Sequence, residues 1–552
     1  MFIRDKGLVV GSIYTKSGTV QGTMHRKKIF QETRFCTVCC APSTLRFCPF
    51  FRIFKPMNET QTAAHLLTKR FPFKPTAGQL QFFEQIGAFI THEDYEHYRD
   101  CFLLRGYAGT GKTTLVGTLI KVLPRFGYKS VLLAPTGRAA KVMTNYAKKA
   151  AQTIHRKIYR QVADPGSGTL AFQRQKNYHE DTLFIVDEAS MISDEADFGG
   201  KGLLTDLIDF VFENPGNKLM LVGDTAQLPP VGRELSPALD RGFLASSFDM
   251  TVYEQELTEV MRQEEESGIL YNATGLRMLL GEASPTPKAV GFDALLSDKA
   301  PVSSTDGPAI QLNVRSFSDI YKMPLTKLED GIRYAYDKYG RQNTAIICRS
   351  NKTAVQYNQF VRRMIDQCEE ELDAGDMLMI ARNNYTILDD DSPAGFLANG
   401  EFAEVQKIRN KEEMHGFRFA TVTLRLVDYE EQPDFDAKIM LDTLHSPAPS
   451  LTSDQYKALY ESVMKDYFYI KSKKERAEAV KRDPYLNALQ VKFAYALTCH
   501  KAQGGQWSAI FIDQGFLPDG QVNDEFVRWL YTAMTRATDE AYLMNFNPQF
   551  FG

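Results

Sequence analysis

Long apolar runs are absent from this sequence, and so is a strong excess of charge of either sign. No run of about 18 apolar residues occurs in the 552-residue chain, so we expect no membrane-spanning helix and no membrane partner. The formal net charge is −3, which excludes a uniformly basic nucleic-acid coat protein. Any nucleic-acid site must therefore be a local groove of Lys, Arg and aromatic side chains.

Cysteine is also sparse, and its eight copies fall into two groups. Four lie within the first 56 residues, where Cys36 and Cys39 have the C-x-x-C spacing of a zinc-binding pair. Only Cys40 and Cys48 accompany them and no second spaced pair follows, so we favour an interpretation without zinc. The other four are scattered, mostly in apolar runs, which is typical of reduced core residues in a cytoplasmic protein: Cys101, Cys348, Cys368 and Cys499.

Residues 1–56 differ from the rest in charge. They contain ten Lys or Arg and two acidic residues, a local charge of +8 that leaves −11 for residues 57–552. A zinc site and a targeting segment are two interpretations of this basic stretch. We favour a third, in which Met57 is the natural start and residues 1–56 are an extension that is not native.

Short apolar strands alternate with helical patterns through most of the chain. CFLLRGYAGTGKTTLVGTLIKVL predicts a strand, a glycine-rich loop and a helix, and SVLLAPTGRAAKVM repeats the order. This alternation predicts an α/β fold with parallel sheets, in which ligands bind at the carboxyl ends of strands. We expect a first lobe over residues 57–262 and a second over residues 263–552.

Two insertions interrupt this pattern. Residues of about 157–181 hold IYRQV and TLAF around Asp164-Pro-Gly-Ser-Gly168, which predicts a β-hairpin. Residues of about 388–490 begin with alternating strands and continue with a charged helical stretch, which predicts a small β-barrel with a basic arm near Lys471 to Lys481. We interpret the hairpin as a pin that separates strands, with a passive surface loop as the alternative. The arm is either a solvated helix or a support for DNA.

A glycine-rich loop carries the clearest chemistry. Gly106-x4-Gly111-Lys112-Thr113 fits the Walker A pattern, in which backbone N–H groups surround phosphate oxygens. Lys112 would neutralise the β- and γ-phosphates, and Thr113 would place its hydroxyl on Mg²⁺. The sequence therefore predicts an ATP site that includes Gly106, Ala108, Gly109, Thr110, Gly111, Lys112, Thr113 and Thr114.

Two carboxylates end an apolar strand about 75 residues after this loop. Asp187 suits the Mg²⁺ shell, and Glu188 suits a base that polarises the attacking water. Hydrolysis also needs positive charge at the γ-phosphate as the transition state forms, and arginine is the usual source. Arg262 in LTEVMRQ and Arg536 in YTAMTRA are the two candidates.

Together these strings resemble the superfamily 1B helicases of the RecD/Dda type, with a UvrD-like C-terminal domain. The resemblance covers most of residues 75–545 and rests on eight motifs in the family's order: GYAGTGKTT, APTGRAAKVM, TIH, FIVDEASMI, LVGDTAQLPPVG, LTEVMRQ, ALTCHKAQGGQW and YTAMTRA. It implies two RecA-like P-loop NTPase lobes, with a small β-hairpin insert in the first and an SH3-like β-barrel insert in the second.

The resemblance also implies roles for individual residues. Gln79 looks like the glutamine that contacts adenine, Gln227 like the γ-phosphate sensor, and Arg262 and Arg536 like the two γ-phosphate arginines. Gln503 and Gly504 look like the loop that links ATP to the DNA track. Single-stranded DNA contacts are implied at Pro135, Thr136, Arg138, His155, Thr498 and His500. One departure is Gln506, which stands where many relatives have an acid, so no coupling role is assigned to it.

The function implied is an ATP- and Mg²⁺-dependent DNA helicase that moves 5′ to 3′ on single-stranded DNA and opens forked duplex in repair, recombination or replication. We expect a monomer. Three alternatives stay open: a translocase on DNA or RNA that does not unwind, a motor subunit of a repair nuclease, and a nucleotide-gated binding module. The last is disfavoured because a binder needs no transition-state charges such as Arg536.

Overall fold

Mostly apolar and buried strands of five to seven residues form the centre of the first lobe. The computed structural model describes residues 63–91, 99–163, 170–195, 201–260, 267–281, 310–389, 392–429, 431–517 and 522–551. Six parallel strands make one sheet in the order β3-β2-β6-β7-β1-β8. Their bounds are β1 Asp100–Gly106, β2 Lys129–Ala134, β3 Ala151–Thr153, β6 Thr182–Val186, β7 Lys218–Gly223 and β8 Thr251–Leu257.

Helices cover this sheet and enclose two hydrophobic clusters. Their bounds are α1 Ala63–Arg70, α2 Ala77–Thr91, α3 Lys112–Val122, α4 Gly137–Ala147, α5 Ile154–Ile158, α6 Leu203–Val211 and α7 Arg241–Phe248. In α2, Phe82, Phe83 and Ile86 are fully buried, as the apolar pattern after Thr76 predicts. The helix begins with a reciprocal cap, because the Gln79 N–H donates to Thr76 Oγ1 and the Thr76 N–H donates to Gln79 Oε1.

A second parallel sheet forms the centre of the second lobe, in the order β16-β10-β17-β18-β9. Its strands are β9 Ile320–Met323, β10 Thr344–Cys348, β16 Ala496–Thr498, β17 Trp507–Asp513 and β18 Ala537–Met544. Three helices precede the insert, two lie in it and two follow it: α8 Gly268–Leu279, α9 Leu328–Tyr339, α10 Asn351–Phe360, α11 Ser453–Asp466, α12 Lys473–Lys481, α13 Cys499–Ala502 and α14 Asp524–Met534.

The insert in the second lobe is a closed five-stranded barrel. Its strands are β11 Met377–Ile380, β12 Phe402–Met414, β13 Phe417–Leu426, β14 Phe435–Met440 and β15 Leu489–Phe493. The barrel therefore begins before, and ends after, the range of about 388–490 that the alternating pattern predicts. Strand β11 is the reason, because MLMI is buried at every position and has no alternation to distinguish it from a parallel strand.

The insert in the first lobe is a two-stranded antiparallel hairpin, β4 Tyr159–Ala163 and β5 Leu170–Arg174, in which Ala163 pairs with Leu170. Its tip, residues 164–169, lies outside the described residues. The predicted fold class is therefore confirmed: two α/β lobes with parallel sheets, a hairpin in the first and a barrel in the second. None of the helices in the described part of the chain is both long enough and apolar enough to cross a membrane.

The cysteines within the described residues are all free. Cys101, Cys348 and Cys499 are buried, as predicted, and Cys368 is half-buried. Burial raises the pKa of all four thiols, which keeps them protonated and unreactive. The four cysteines of residues 1–56 lie outside the described residues, and the predicted absence of a zinc site there concerns those residues alone.

Candidate functional site

The glycine-rich loop joins the end of β1 to the start of α3. Gly109 and Gly111 have φ values of 79° and 86°, a left-handed backbone that favours glycine. A Cβ on Gly109 would lie 2.9 Å from Val260 Cγ1, so the loop also has no room there for a side chain. Lys112 begins the helix and folds back over the loop, where its Nζ donates to the carbonyl oxygens of Gly106 and Tyr107.

These features fit the phosphates of a nucleoside triphosphate. The loop is curled, a helix N-terminus follows it, and Lys112 stands above it as a movable point charge. Thr113 is exposed at the same edge, as a hydroxyl ligand for Mg²⁺ would need to be. Among the described residues no three His, Cys, Asp or Glu side chains converge as a metal site, so Mg²⁺ would need phosphate oxygens as further ligands.

The carboxylates of Asp187 and Glu188 follow β6, at the same edge of the sheet as the loop. The Tyr146 hydroxyl donates to Asp187 Oδ2 at 2.7 Å, which fixes the orientation of that carboxylate. Glu188 lies 3.6 Å from Arg536 Nη1, measured from its Oε1. Burial raises the pKa of Glu188, and the positive charge of Arg536 opposes that rise.

Arg536 reaches this position from the second lobe. It is 4% exposed and follows α14, where its Nε donates to the Thr532 carbonyl at 3.1 Å. The structure therefore brings a base candidate of one lobe and an arginine candidate of the other to one cleft. Arg262, the second arginine candidate, lies outside the described residues.

Further hydrogen bonds join the lobes around the cleft. The Tyr531 hydroxyl donates to Asp224 Oδ2 at 2.7 Å and accepts from the Ala108 N–H at 2.9 Å. The Leu228 N–H donates to Thr532 Oγ1 at 2.8 Å. Sequence reasoning did not single out Tyr531, Asp224 or Thr532 as functional, although they lie within YTAMTRA and GDTAQLPP.

The glutamines of the expected ATP site occupy distinct places. Gln79 is buried, and its Nε2 donates to the Thr110 carbonyl at 3.0 Å, which ties α2 to the glycine-rich loop. Gln227 is 6% exposed, and its Oε1 has no hydrogen-bond partner among the described residues. A buried acceptor of this kind fits a hydrogen-bond donor that completes the site, such as a water bound at the phosphates. Gln503 Nε2 crosses from the second lobe to donate to the Leu228 carbonyl at 2.7 Å.

Two adjoining cavities lie away from this cleft and contain four of the six expected DNA contacts. Pro135 and His155 line the first, of about 790 Å³, and Thr498 and His500 line the second, of about 370 Å³. The cavities share Lys501 as a lining residue. None of the described residues that line either cavity is an Asp or a Glu, although a quarter of the chain is charged. Such a groove suits a polyanion.

The other two expected DNA contacts lie at the N-terminus of α4. Thr136 caps this helix, because its Oγ1 accepts from the Ala139 N–H at 3.2 Å. The Arg138 guanidinium lies over the rings of Phe402 and Trp507, 4.7 and 4.1 Å from their centroids, and the two rings contact each other edge-on. Arg138 is thus held by aromatic rings of the second lobe and its barrel, and neither cavity has it as a lining residue. These cation–π contacts join residues that are too far apart in sequence for motif spacing to predict them.

Gly504 packs closely against the N-terminus of α4. Its φ is 73°, and a Cβ there would lie 2.8 Å from Ala139 Cβ and 3.1 Å from Thr136 Oγ1. The neighbouring Gln503 contacts Leu228, next to Gln227. The pair Gln503-Gly504 therefore contacts both the residue that follows the expected phosphate sensor and the cap of α4.

Comparison with known proteins adds independent evidence. Residues 92–278 match a model described as an AAA domain, and residues 493–544 match a UvrD-like helicase C-terminal domain. The chain is 34% identical over 184 residues to an ATP-dependent RecD2 DNA helicase of Deinococcus radiodurans, covering 33% of this chain and 22% of that protein. It is 29% identical over 168 residues to the ATP-dependent DNA helicase dda of Enterobacteria phage T4, covering 29% of this chain and 34% of that protein.

The chain thus spans about a fifth of the first of these relatives and about a third of the second. A solved Pif1 helicase from Bacteroides, in complex with ADP-AlF3 and ssDNA, aligns over 86% of this chain and 94% of its own, with 15% identity and a TM-score of 0.40. The two matched models contain all eight ordered motifs. The matched domains, the two DNA helicase relatives and the eight ordered motifs support the resemblance to the superfamily 1B helicases of the RecD/Dda type.

Proposed function

We propose that this protein is an ATP-driven motor that moves along single-stranded DNA and unwinds duplex DNA. The observation that carries the proposal is the pairing of Glu188 with Arg536 across the cleft, beside the glycine-rich loop. A protein that only bound a nucleotide would not need a base and a buried arginine from opposite lobes. An enzyme that hydrolyses ATP needs both, because negative charge develops on the transferring phosphoryl group.

The residues of the cleft have separable tasks. The loop N–H groups and Lys112 hold the phosphates, and Thr113 and Asp187 hold Mg²⁺, which neutralises phosphate charge when bound. Glu188 orients and polarises the attacking water. Arg536 stabilises the charge of the transition state, and Arg262 is proposed to assist it. Gln227 senses whether the γ-phosphate is present, through a water that donates to its unpartnered oxygen.

Coupling to movement would follow from the contacts of Gln503 and Gly504. When the lobes separate after hydrolysis, Gln503 leaves the Leu228 carbonyl and Gly504 leaves the cap of α4. Both contacts reform when the lobes close again. The groove, which residues of both lobes line, would then change length once per ATP, and a bound strand would advance.

DNA would lie in the two carboxylate-free cavities, with Pro135 and His155 at one end and Thr498 and His500 at the other. Thr136 and Arg138 would act through the position of α4. Because phosphate contacts dominate such binding, affinity should fall with salt at a slope of about −0.7 per contact. The relatives matched here are named DNA helicases, which favours DNA over RNA. Movement from 5′ to 3′ and a role in repair, recombination or replication are proposed from the family resemblance.

The decisive experiment measures ATP hydrolysis by the full chain with single-stranded DNA, with single-stranded RNA and without nucleic acid. We expect stimulation by DNA, and Lys112→Ala should abolish hydrolysis. A forked duplex with only a 5′ or only a 3′ tail then tests unwinding and direction. DNA-stimulated hydrolysis without unwinding of either fork would favour a translocase, and absence of hydrolysis would contradict the proposal.

A further inference from the structure

The larger cavity has an aromatic wall that the expected DNA contacts do not include. Besides Pro135 and His155, the cavity is lined by the barrel segment that contains Tyr385 and Phe396, and by the helical arm α11–α12. The Tyr385 and Phe396 rings lie 4.6 Å apart between centroids, inclined by 31°. The arm contributes Tyr456, Tyr460 and Lys481 to the same cavity.

Two of these aromatic residues lie one helical turn apart on α11, so their rings share a face. Tyr456 is half-buried, and the guanidinium of Arg382 lies 5.0 Å from its ring centroid. Tyr460 is 38% exposed. The wall therefore presents aromatic surface with cationic groups beside it, the combination that holds unpaired nucleobases and their phosphates.

The arm is fixed in this position by packing against the barrel. Leu459, Val463 and Val480 are buried in one cluster with Phe419 and Met440 of the barrel strands. At the other end of α11 the Tyr467 hydroxyl donates to Asp483 Oδ2 at 3.0 Å. Because the arm is held on both its helices, the wall is already formed before a ligand binds, which reduces the ordering cost of binding.

We propose that the arm and the barrel segment form a base-stacking wall for single-stranded DNA, with Tyr456 and Tyr460 as its contacts from the arm. This proposal rests on the proposed function and adds a second, base-directed contact surface to it. The ligand must be unpaired, because the bases of a duplex are stacked on each other and do not offer their faces to side chains. The wall binds without sequence preference, since every base has an aromatic face.

The test compares a fluorescent oligothymidylate with an abasic strand of the same length, which keeps the phosphates and lacks the bases. The double variant Tyr456→Ala/Tyr460→Ala should bind the normal strand roughly 30-fold or more weakly than the unaltered protein, as loss of two stacking contacts implies. Both proteins should bind the abasic strand equally. The double variant Tyr456→Phe/Tyr460→Phe should bind as the unaltered protein does, because the rings and not the hydroxyls are required.

The matched control is Tyr469→Ala, an exposed tyrosine of the same arm that does not line the cavity. It should bind both strands as the unaltered protein does. Tyr460→Ala alone changes a more exposed side chain, so it serves if the double variant fails to fold by thermal melting. The proposal is overturned if binding is unchanged, or if the loss is equal on normal and abasic strands. It is also overturned if Tyr469→Ala shows the same loss, or if the loss is greater on duplex than on single strands.

The two proposals fail differently. If the unaltered protein binds single-stranded DNA and hydrolyses ATP in response, unchanged binding by the tyrosine variants refutes the wall alone. If the unaltered protein neither binds DNA nor responds to it, the motor itself is refuted, and the wall with it.

Discussion

Replacement of Arg536 by alanine is the sharpest test of the proposed ATP cleft. Arg536 Nη1 lies 3.6 Å from Glu188 Oε1, and the arginine side chain is 5% exposed. At that separation two unit charges attract by about 5 kcal/mol for an effective dielectric constant near 20, before the cost of desolvation is subtracted. The arginine therefore supplies most of the positive charge that faces Glu188 from the second lobe.

We expect Arg536→Ala to lower kcat by roughly 10³- to 10⁵-fold, the range seen when an arginine that faces the γ-phosphate is lost. ATP binding should persist, because the glycine-rich loop and Lys112 are unchanged. Steady-state hydrolysis measures the first effect, and fluorescent nucleotide titration measures the second.

The same variant should change the pH dependence. Burial raises the pKa of Glu188 and Arg536 opposes that rise, so loss of the arginine must raise the pKa further. Since only the ionised carboxylate can act as a base toward the attacking water, the acid limb of the kcat profile should move to higher pH. Arg425→Ala, which removes an exposed ion pair with Asp434 on the barrel, is the control and should change neither quantity. Activity within about tenfold of the unaltered enzyme, with an unmoved acid limb, would refute the reasoning.

Three further changes test separate parts of the molecule. Deletion of the hairpin tip, residues 164–169, should abolish unwinding of a forked duplex and spare DNA-stimulated hydrolysis, and equal loss of both activities would exclude a pin. Arg138→Ala removes two cation–π contacts worth about 0.5 to 2 kcal/mol each, so the free energy of unfolding in urea should fall by about 1 to 3 kcal/mol. Arg125→Ala, which changes an exposed side chain, is the control and should not lower it. Gly504→Ala places a Cβ 2.8 Å from Ala139 Cβ at a φ of 73°, so the ratio of DNA-stimulated to basal hydrolysis should fall, and an unchanged ratio would exclude coupling through this contact.

The sequence was sufficient for features whose residues are neighbours in the chain. The glycine-rich loop needs glycines at fixed spacing between a strand and a helix, and Asp187 and Glu188 need only the end of an apolar strand. Hairpin strands β4 and β5 were also predictable, because a Pro-Gly-rich turn separates two short β-type runs. In each case the physical cause is local.

Features that depend on contacts between distant segments were not predictable in this way. Tyr531 and Asp224 are 307 residues apart, and no periodicity relates them. Arg138 was expected at DNA because its motif is a DNA-contact motif in the family, and that role stays a prediction; its contacts with the rings of Phe402 and Trp507 join residues that the sequence places far apart. Strand β11 was not assigned to the barrel because a uniformly apolar four-residue strand carries no sign of the sheet it joins.

The N-terminus of α4 is where the contacts of all three parts of the molecule converge. Gly504 of the second lobe packs against its cap, and the barrel carboxyl of Glu401 would lie 2.8 Å from a Cβ on Gly137. One turn further along, Lys141 pairs with Asp428 of the barrel at 3.4 Å. A change in the distance between the lobes must therefore strain or break contacts on this helix before it reaches the groove. The same helix begins two residues after Pro135, which lines the larger cavity, so it directly connects these contacts to the groove.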